Sequence, residues 1–420
     1  MPSPIRVRPL VAALASASAL SLTAAVAWAE PAPPFPALLM QAQSRAPRSA
    51  EAQAQVARAE GLARQAAVLP NPTVSVEVEN FSGSGPFRGT NAAESTASIG
   101  QLIELGGKRS ARIGAARAEV GAARADAVRS QADFVFDLAA AYALAEASER
   151  RLQLATESLA FAQEDSRVAS ALVRAGKEAD VRAVQARAAL QAAQAALEEA
   201  RSTRSKALGD LTALSGSPVA FTSIRVSLLS HAARREVAGD IDPLRSPAYQ
   251  AAEAARQAAA RRVQVERTRA VPDVTVSVGA RRFEADKSSA MVAGVSVPFP
   301  LFDQNRGNIS AARAELTAAE ARLNAARLDA VAEASAAIAR LNAAQARVQA
   351  SEEGESAAAE ASRLAGVGYE GGKLSLLELL TARRALTEAR TQSIEAQIER
   401  VAAEASIARL RGAIPFGDQE

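Results

Sequence analysis

Hydrophobic and polar residues alternate strictly along Thr73–Asn80, where Val74, Val76 and Val78 are separated by serine and glutamate residues. A period of two residues predicts a β-strand with one apolar and one polar face. Similar but less regular patterns predict three further strands: Ser95–Ile103, Val274–Glu284 and Ala290–Val297. The sequence therefore predicts four strands in two pairs, with a loop or turn between the members of each pair.

A long proline-free segment follows the first predicted pair of strands. From Lys108 to about Arg174 alanine dominates, and many of the larger apolar residues recur at intervals of four or seven, as in a coiled-coil seam. A helix of this length would extend on the order of 100 Å, which no compact domain requires. Gly176 interrupts the pattern, and a second helix is predicted from Asp180 to about Leu214. The long helix is therefore predicted to fold back on itself through a turn centred on glycine.

The chain then repeats this order of elements. Residues 100–216 reappear as residues 296–412, so that Gly176-Lys177 corresponds to Gly372-Lys373 at an offset of 372 − 176 = 196 residues. A constant offset over about a hundred residues predicts two structurally equivalent halves. The second copy is predicted to have a long helix over residues 309–365, and its turn is expected at residues 366–373.

The repeat defines a predicted domain organisation. Its parts are a signal peptide (1–29), a first repeat (30–214), a connector (215–246), a second repeat (247–415) and a short tail (416–420). The proline-rich residues 31–36 are predicted to be extended, and the connector is predicted to be irregular, because proline interrupts regular structure.

The first 29 residues have the pattern of a secretory signal peptide. Arg6 and Arg8 precede an apolar segment from Leu10 to about Val26, and Ala27-Trp28-Ala29 fits the small-x-small rule for cleavage. The sequence therefore predicts export from the cytoplasm. No later segment has the roughly 18 consecutive apolar residues of a spanning helix, so a membrane-spanning part would have to be built from strands.

Four strands per chain cannot close a barrel, and an open sheet in lipid would leave unpaired backbone groups at its edges. Chains can solve this problem by pooling their strands around a symmetry axis, and three chains would supply twelve strands. The predicted fold class is therefore mainly α with a small transmembrane β part.

Composition excludes several classes of function. The chain has no cysteine and one histidine, His231, which excludes disulfides and thiolate ligands and argues against a site for soft metals. No catalytic group of Ser/His/Asp or Cys/His type can be assembled, so we predict no enzyme, no bound cofactor and no metal site.

The glycine pattern of Gly366–Gly371 follows a helix rather than a strand, which argues against dinucleotide binding. The formal net charge is +3 and charges alternate in sign along the helices, so no nucleic-acid partner is predicted.

Three segments carry a resemblance to a known family: Leu69-Pro-Asn-Pro-Thr-Val74, Gln101-Leu-Ile-Glu-Leu-Gly-Gly-Lys-Arg109 and Val297-Pro-Phe-Pro-Leu-Phe-Asp-Gln-Asn-Arg306. Together with the duplication, they resemble the TolC-like family of outer-membrane efflux proteins, and within it the branch that serves cobalt–zinc–cadmium or copper–silver pumps. The resemblance implies a homotrimer with a twelve-stranded barrel in outer-membrane lipid and a helical tunnel through the periplasm. It also implies two partners, a periplasmic adaptor and an inner-membrane pump of the resistance-nodulation-division class.

In that family the glycine turns lie at the periplasmic tip, where the tunnel closes. The residues that the resemblance makes candidates for the tip are Gly176, Glu178, Asp180, Tyr369, Gly372, Lys373 and Glu378. Tyr369 matches a tyrosine latch, and Glu378 matches the first acid of an acidic ring. Leu374 and Thr381 replace an arginine and an aspartate of drug-efflux members, so their latch network is not expected here. An ordinary role as solvated turn or capping residues stays open for all of these positions.

The leading hypothesis is a passive duct for heavy-metal efflux, with energy supplied by the partner pump. One alternative is the same fold serving drug efflux or type I protein secretion. A more distant alternative is a soluble periplasmic coiled-coil adaptor, against which the duplicated strand pairs argue.

Overall fold

A computed structural model describes residues 30–230 and 241–416 of the chain. The predicted signal peptide, His231 and the last four residues of the predicted tail lie outside the described residues. The helices are α1 (Phe35–Arg45), α2 (Pro47–Ala66), α3 (Lys108–Arg174), α4 (Asp180–Ser215), α5 (Pro247–Arg269), α6 (Arg306–Glu370) and α7 (Leu376–Arg411). The strands are β1 (Glu30–Ala32), β2 (Thr73–Glu79), β3 (Glu94–Ile103), β4 (Phe221–Ile224), β5 (Val274–Phe283) and β6 (Ser288–Ser296).

The same order of elements occurs twice. The series α2, β2, β3, α3 and α4 is followed by α5, β5, β6, α6 and α7. The two long helices, α3 and α6, have 67 and 65 residues, and the two returning helices have 36 residues each. At 1.5 Å per residue α3 is about 100 Å long. The predicted pair of structurally similar halves is therefore present in the fold.

The four predicted strands form one antiparallel sheet in the order β2-β3-β5-β6. Val74 lies opposite Ile99, and Ile99 lies opposite Val278, so these three side chains share one face. Residues directly opposite each other in a sheet point to the same side, and neighbours along a strand point to opposite sides. The alternation in the sequence is therefore an alternation between an apolar and a polar face of the sheet.

Polar contacts cross the strands on the other face. The hydroxyl oxygens of Ser75 and Ser98 are 2.8 Å apart. Arg281 on β5 forms ion pairs with Glu79, at 2.9 Å, and with Glu94, at 3.0 Å. These cross-strand pairs stabilise the register of the sheet, since a slip by one residue would exchange the two faces.

Two predictions for the segments around the first repeat are wrong. The extended region predicted for residues 31–36 ends early, because α1 begins at Phe35, with Pro34 at its N-cap and Pro36 in its first turn. Proline is tolerated there, since the first helical N–H groups have no partner within the helix. The connector is not wholly irregular, because β4 pairs with β1 in a parallel two-stranded sheet. The described chain therefore has six strands rather than four.

The main hydrophobic core lies beside this small sheet, part way along the long helices. Phe35 contacts the ring of Tyr142 edge-to-face, with 5.9 Å between the ring centres, and also contacts Phe416 at 5.7 Å. Tyr142 and Leu138 of α3 are fully buried in this cluster. Burial raises the pKa of the Tyr142 hydroxyl, which donates a hydrogen bond to the carbonyl of Val226. The core thus joins both ends of the first repeat to the end of the second.

Buried Glu146 of α3 holds the connector against this core. Its carboxylate accepts hydrogen bonds from the backbone N–H groups of Leu228, at 2.7 Å, and Leu229, at 3.0 Å. It also accepts from the hydroxyl of Ser227 and pairs with Arg150 at 2.7 Å. A buried carboxylate is stable only when its charge is compensated by contacts of this kind.

We expect Glu146→Ala to lower the free energy of unfolding by about 3–5 kcal/mol, because it leaves the half-buried Arg150 and two buried backbone N–H groups without this acceptor. The matched control is Glu198→Ala, whose exposed carboxylate has one ion-pair partner among the described residues, Arg201 one turn away on the same helix. That control should change stability by at most about 0.5 kcal/mol. Denaturant titrations followed by the helical circular dichroism signal measure both; equal midpoints would contradict the role of Glu146.

Candidate functional site: the hairpin turns and the seam beside them

The two glycine turns have the same backbone geometry. Gly176 and Gly372 adopt left-handed conformations with φ of 66° and 67°. The N–H of Lys177 donates to the carbonyl of Leu172 at 2.9 Å, and the corresponding bond from Lys373 to Gly368 is 2.8 Å. This pattern ends a helix with a left-handed residue, a conformation that glycine adopts without a steric penalty. The turn glycines predicted from the repeat therefore have a local structural role.

The second turn is shorter than predicted. Helix α6 continues through Gly366 and Gly368 and ends at Glu370. A Cβ on Gly368 would lie 2.7 Å from Leu374, whose side chain folds back over the end of α6. Leu374, which replaces an arginine of drug-efflux members, thus packs against the end of α6.

Glu378 caps the helix that follows this turn. Its carboxylate accepts hydrogen bonds from the backbone N–H of Ser375, at 2.7 Å, and from the Ser375 hydroxyl, at 2.8 Å. The Ser375 hydroxyl in turn accepts from the N–H of Glu378. The hydrogen bonds from Ser375, the backbone one first, hold the pKa of Glu378 below its ordinary value. This reciprocal capping box is the ordinary role that the sequence left open.

The remaining tip candidates are placed around the same two turns. Tyr369 is half-buried in the last turn of α6, and Lys373 is exposed. Glu178 is 3.9 Å from Arg182, and Asp180 is the acidic residue of the first turn of α4. Glu178 and Ser375 line the same groove, so the two turns lie side by side at one end of the molecule.

That groove, of about 940 Å³, lies between the α3–α4 hairpin and the start of α7. Its apolar lining includes Phe161, Leu376 and Leu380, and its charged lining includes Arg182 and Arg384. No local pattern in the sequence predicts this groove, because its walls come from segments about 200 residues apart.

Charged and polar pairs form the contact between α3 and α7 along this groove, here called the polar seam. Arg383 pairs with Asp165 at 2.6 Å, with their side chains 22% and 18% exposed, and its guanidinium lies 4.7 Å from the ring centre of Phe161. Arg390 pairs with Glu157 at 2.5 Å. Burial raises the pKa of Asp165, although the charge of Arg383 acts in the opposite direction.

The polar seam follows a seven-residue period in the sequence of α7. Three of the α7 residues that contact α3 recur at intervals of seven: Arg383, Arg390 and Gln397. Gln397 accepts a hydrogen bond from Arg150 at 2.6 Å. Seven-residue spacing places side chains along one face of a helix. Polar residues at that spacing could therefore have indicated a polar helix contact.

Within residues 30–230 and 241–416, no three acidic or histidine side chains are grouped so that they could hold a metal ion. Over the same residues, no helix is both long enough and apolar enough to cross a membrane.

Proteins of similar sequence include metal-resistance proteins. The chain is 40% identical over 256 residues to the nickel-cobalt-cadmium resistance protein NccC of Alcaligenes xylosoxydans xylosoxydans. This aligned segment covers 61% of this chain and 58% of NccC. The chain is also 32% identical over 360 residues to the cobalt-zinc-cadmium resistance protein CzcC of Cupriavidus metallidurans, and this alignment covers 84% of each protein. The match thus spans less than two thirds of NccC but most of CzcC.

The fold is also that of a solved outer membrane protein. The crystal structure of VceC from Vibrio cholerae matches 90% of this chain and 96% of its own, with a TM-score of 0.73 at 22% identity. The family model for outer membrane efflux proteins matches residues 38–217 and 244–413, one segment for each repeat. The chain therefore belongs to the outer membrane efflux protein family.

Proposed function

We propose that this protein is the outer-membrane duct of a tripartite efflux system and that it conducts its substrates passively. The observation that carries the proposal is the family match over both repeats, which covers the sheet, the long helices and the turns. Helices of about 100 Å suit a conduit across the periplasm better than a compact domain. Family and fold are those of channel proteins rather than enzymes.

The assembly that we propose is a homotrimer. Strands β2 and β6 are the two edges of the sheet, so each chain presents an unpaired row of backbone groups on both sides. Each strand of the sheet runs antiparallel to its neighbour, so the two edge strands, β2 and β6, run in opposite directions. Strand β6 of one chain can therefore pair antiparallel with β2 of the next. Three chains would then close twelve strands, with the apolar face toward lipid and the polar face toward the lumen.

We propose heavy-metal cations as the substrate, on the basis of the relatives NccC and CzcC, which are named as metal-resistance proteins. The chain has no cysteine and a single histidine, so we assign the selection of soft metals to a partner, an inner-membrane resistance-nodulation-division pump. A periplasmic adaptor would connect the two. The groove beside Phe161 and Leu380 fits its docking element, because an apolar groove between helices is the usual receptor for an amphipathic helix.

Deletion of the gene in its host, with plasmid complementation, tests the function as a whole. The deletion should sensitise cells to nickel, cobalt, zinc or cadmium, and the purified protein should form a pore in planar bilayers as a trimer. Sensitivity to drugs with unchanged metal tolerance would favour the drug-efflux alternative, and a monomer without pore activity would contradict a duct.

Arginine substitutions on neighbouring residues of β2 test which face meets lipid. Val76→Arg should destabilise the assembled protein by about 2–4 kcal/mol, whereas Ser75→Arg on the lumen side should be tolerated. The yield of folded trimer in outer-membrane fractions measures both. Normal assembly of Val76→Arg together with failure of Ser75→Arg would reverse the assignment.

We expect Glu378→Ala to weaken cation preference, because three copies of this carboxylate around a three-fold axis would attract cations into the aperture. Tyr369→Ala should raise resting conductance, since the half-buried ring would no longer pack at the aperture. Single-channel recordings of trimers in planar bilayers measure both quantities. Unchanged selectivity in a well-assembled Glu378→Ala trimer would leave this residue with its capping role alone.

The polar seam should contribute to closure of the tip. Arg383→Ala removes the ion-pair partner of the half-buried Asp165 carboxylate, which should weaken the contact by about 1–3 kcal/mol and raise resting conductance. The control is Arg363→Ala, because Arg363 is exposed and its one ion-pair partner in the described part of the chain is Glu360 on the same helix. If the two variants conduct equally at rest, the seam does not hold the tip closed.

A further inference from the structure

The four junctions between strands and helices form a continuous rim along one edge of the sheet. Arg109 at the start of α3 donates to the carbonyl of Ala67 at the end of α2, at 2.9 Å. The N–H of Leu105 donates to the carboxylate of Asp273, at 3.1 Å, which joins the two central junctions. Asn305 before α6 donates to the carbonyl of Glu266 on α5, at 2.8 Å. All four junctions are thus held side by side by hydrogen bonds.

Large apolar side chains are exposed at each of these junctions. Phe302 is 94% exposed and Phe299 is 86% exposed, and both lie in the short segment between β6 and α6. Leu69 follows α2, Ile103 ends β3 and Val271 precedes β5, with exposed fractions of 64%, 45% and 38%. Exposed aromatic and aliphatic residues grouped in this way indicate a contact with another apolar phase or surface.

Each junction also carries an exposed arginine. These are Arg64 on α2, Arg109 on α3, Arg267 on α5 and Arg306 on α6. Lys108 pairs with Asp273 and Arg112 with Glu104, but within the described residues none of the four arginines forms an ion pair. The rim also carries one exposed carboxylate, Asp303, which accepts a hydrogen bond from the N–H of Asn305. Four arginines against one carboxylate leave the rim with apolar side chains and an excess of positive charge.

We infer that this rim is a lipid-binding collar, which seats its apolar side chains at the boundary of the acyl chains and its four arginines among anionic headgroups. The inference rests on the proposed outer-membrane function. The rim is continuous with the apolar face of the sheet, since Ile103 lies on the same face as Ile99 and Val278. Interfacial aromatic residues and arginines near anionic headgroups are the features that hold a protein at a fixed depth in a bilayer.

A second copy of the chain is the other candidate occupant, and the position of the junctions argues against it. A neighbouring copy reaches the sheet through its edge strands, β2 and β6. The β3–α3 and α5–β5 junctions lie at the centre of the sheet and carry the same combination of exposed apolar residues and arginine. A surface that recurs at all four junctions fits a lipid leaflet, which contacts every junction alike.

Depth-dependent fluorescence quenching tests the apolar part of the collar. The one tryptophan of the sequence, Trp28, lies in the predicted signal peptide, so an exported chain carrying Phe299→Trp would have a single fluorophore. The trimer is reconstituted in phosphatidylethanolamine vesicles with about a quarter phosphatidylglycerol, to supply anionic headgroups. The vesicles carry bromine either near the headgroup end or near the methyl end of the acyl chains.

Phe299→Trp should be quenched most by bromine near the headgroups. Val76→Trp, in the middle of the sheet, should be quenched most by deep bromine, and Leu364→Trp, near the tip, by neither. Quenching of Val76→Trp without quenching of Phe299→Trp would overturn the collar and leave the proposed function intact. If neither is quenched, the membrane assignment itself fails. Leu301→Trp serves as the second collar position if Phe299→Trp does not assemble.

Lipid retention tests the arginines. The double variant Arg109→Ala, Arg306→Ala should retain phosphatidylglycerol at least about fivefold more weakly than the wild type in mild detergent, as loss of an interfacial arginine implies. The control is Arg340→Ala, an exposed arginine on α6 far below the rim and, within the described residues, without an ion pair. Equal retention by the double variant and the control would overturn the assignment of the arginines to headgroups.

Discussion

The antiparallel pairing of β3 with β5 is the contact on which the rest of the structure depends. It joins the two repeats from Glu94 opposite Phe283 to Ile103 opposite Val274. Each strand is followed or preceded by a helix, so the order of the strands becomes the order of the helices: α2 packs on α3, α3 on α5, and α5 on α6. One register therefore sets both the sheet and the helical wall. A register slip by one residue would turn the apolar face of the sheet inward and displace both long helices.

The helical contacts are of two kinds. The contacts within the main core bury tyrosine, phenylalanine and leucine, and their separation would expose apolar surface to water. The contact of α3 with α7 beside the hairpin turns includes ion pairs such as Arg383 with Asp165 and Arg390 with Glu157. Water can solvate charged groups when they separate, so separating this seam costs less free energy than separating the main core.

The two repeats are alike in backbone but not in charge. Their turns have the same left-handed glycine, but only the second is followed by a capping box, formed by Ser375 and Glu378. Ala179 is the N-cap in the first repeat, and Arg182 occupies the position equivalent to Glu378 (378 − 182 = 196). A duplicated backbone thus presents carboxylate and guanidinium groups at equivalent positions of neighbouring hairpins, which a chain of identical repeats could not do.

The sequence alone determined the features that depend on local periodicity. Alternation predicted the four strands of the sheet, and the absence of proline predicted a helix beginning at Lys108, both within a few residues. Gly176 and Gly372 marked the turns, because a left-handed residue at a helix end favours glycine whatever surrounds it. The family resemblance, carried by the duplication and its motifs, was confirmed by the family match.

Only the tertiary structure decided the features that join distant segments. The pairing of β1 with β4, the buried contacts of Glu146 with the connector, and the partner of Arg383 all link residues with no local pattern in common. Helix α1 was missed because its prolines are unfavourable in a helix interior but acceptable in a first turn. These contacts depend on which surfaces the folded chain brings together. Periodicity within one segment does not indicate which distant segment will pack against it.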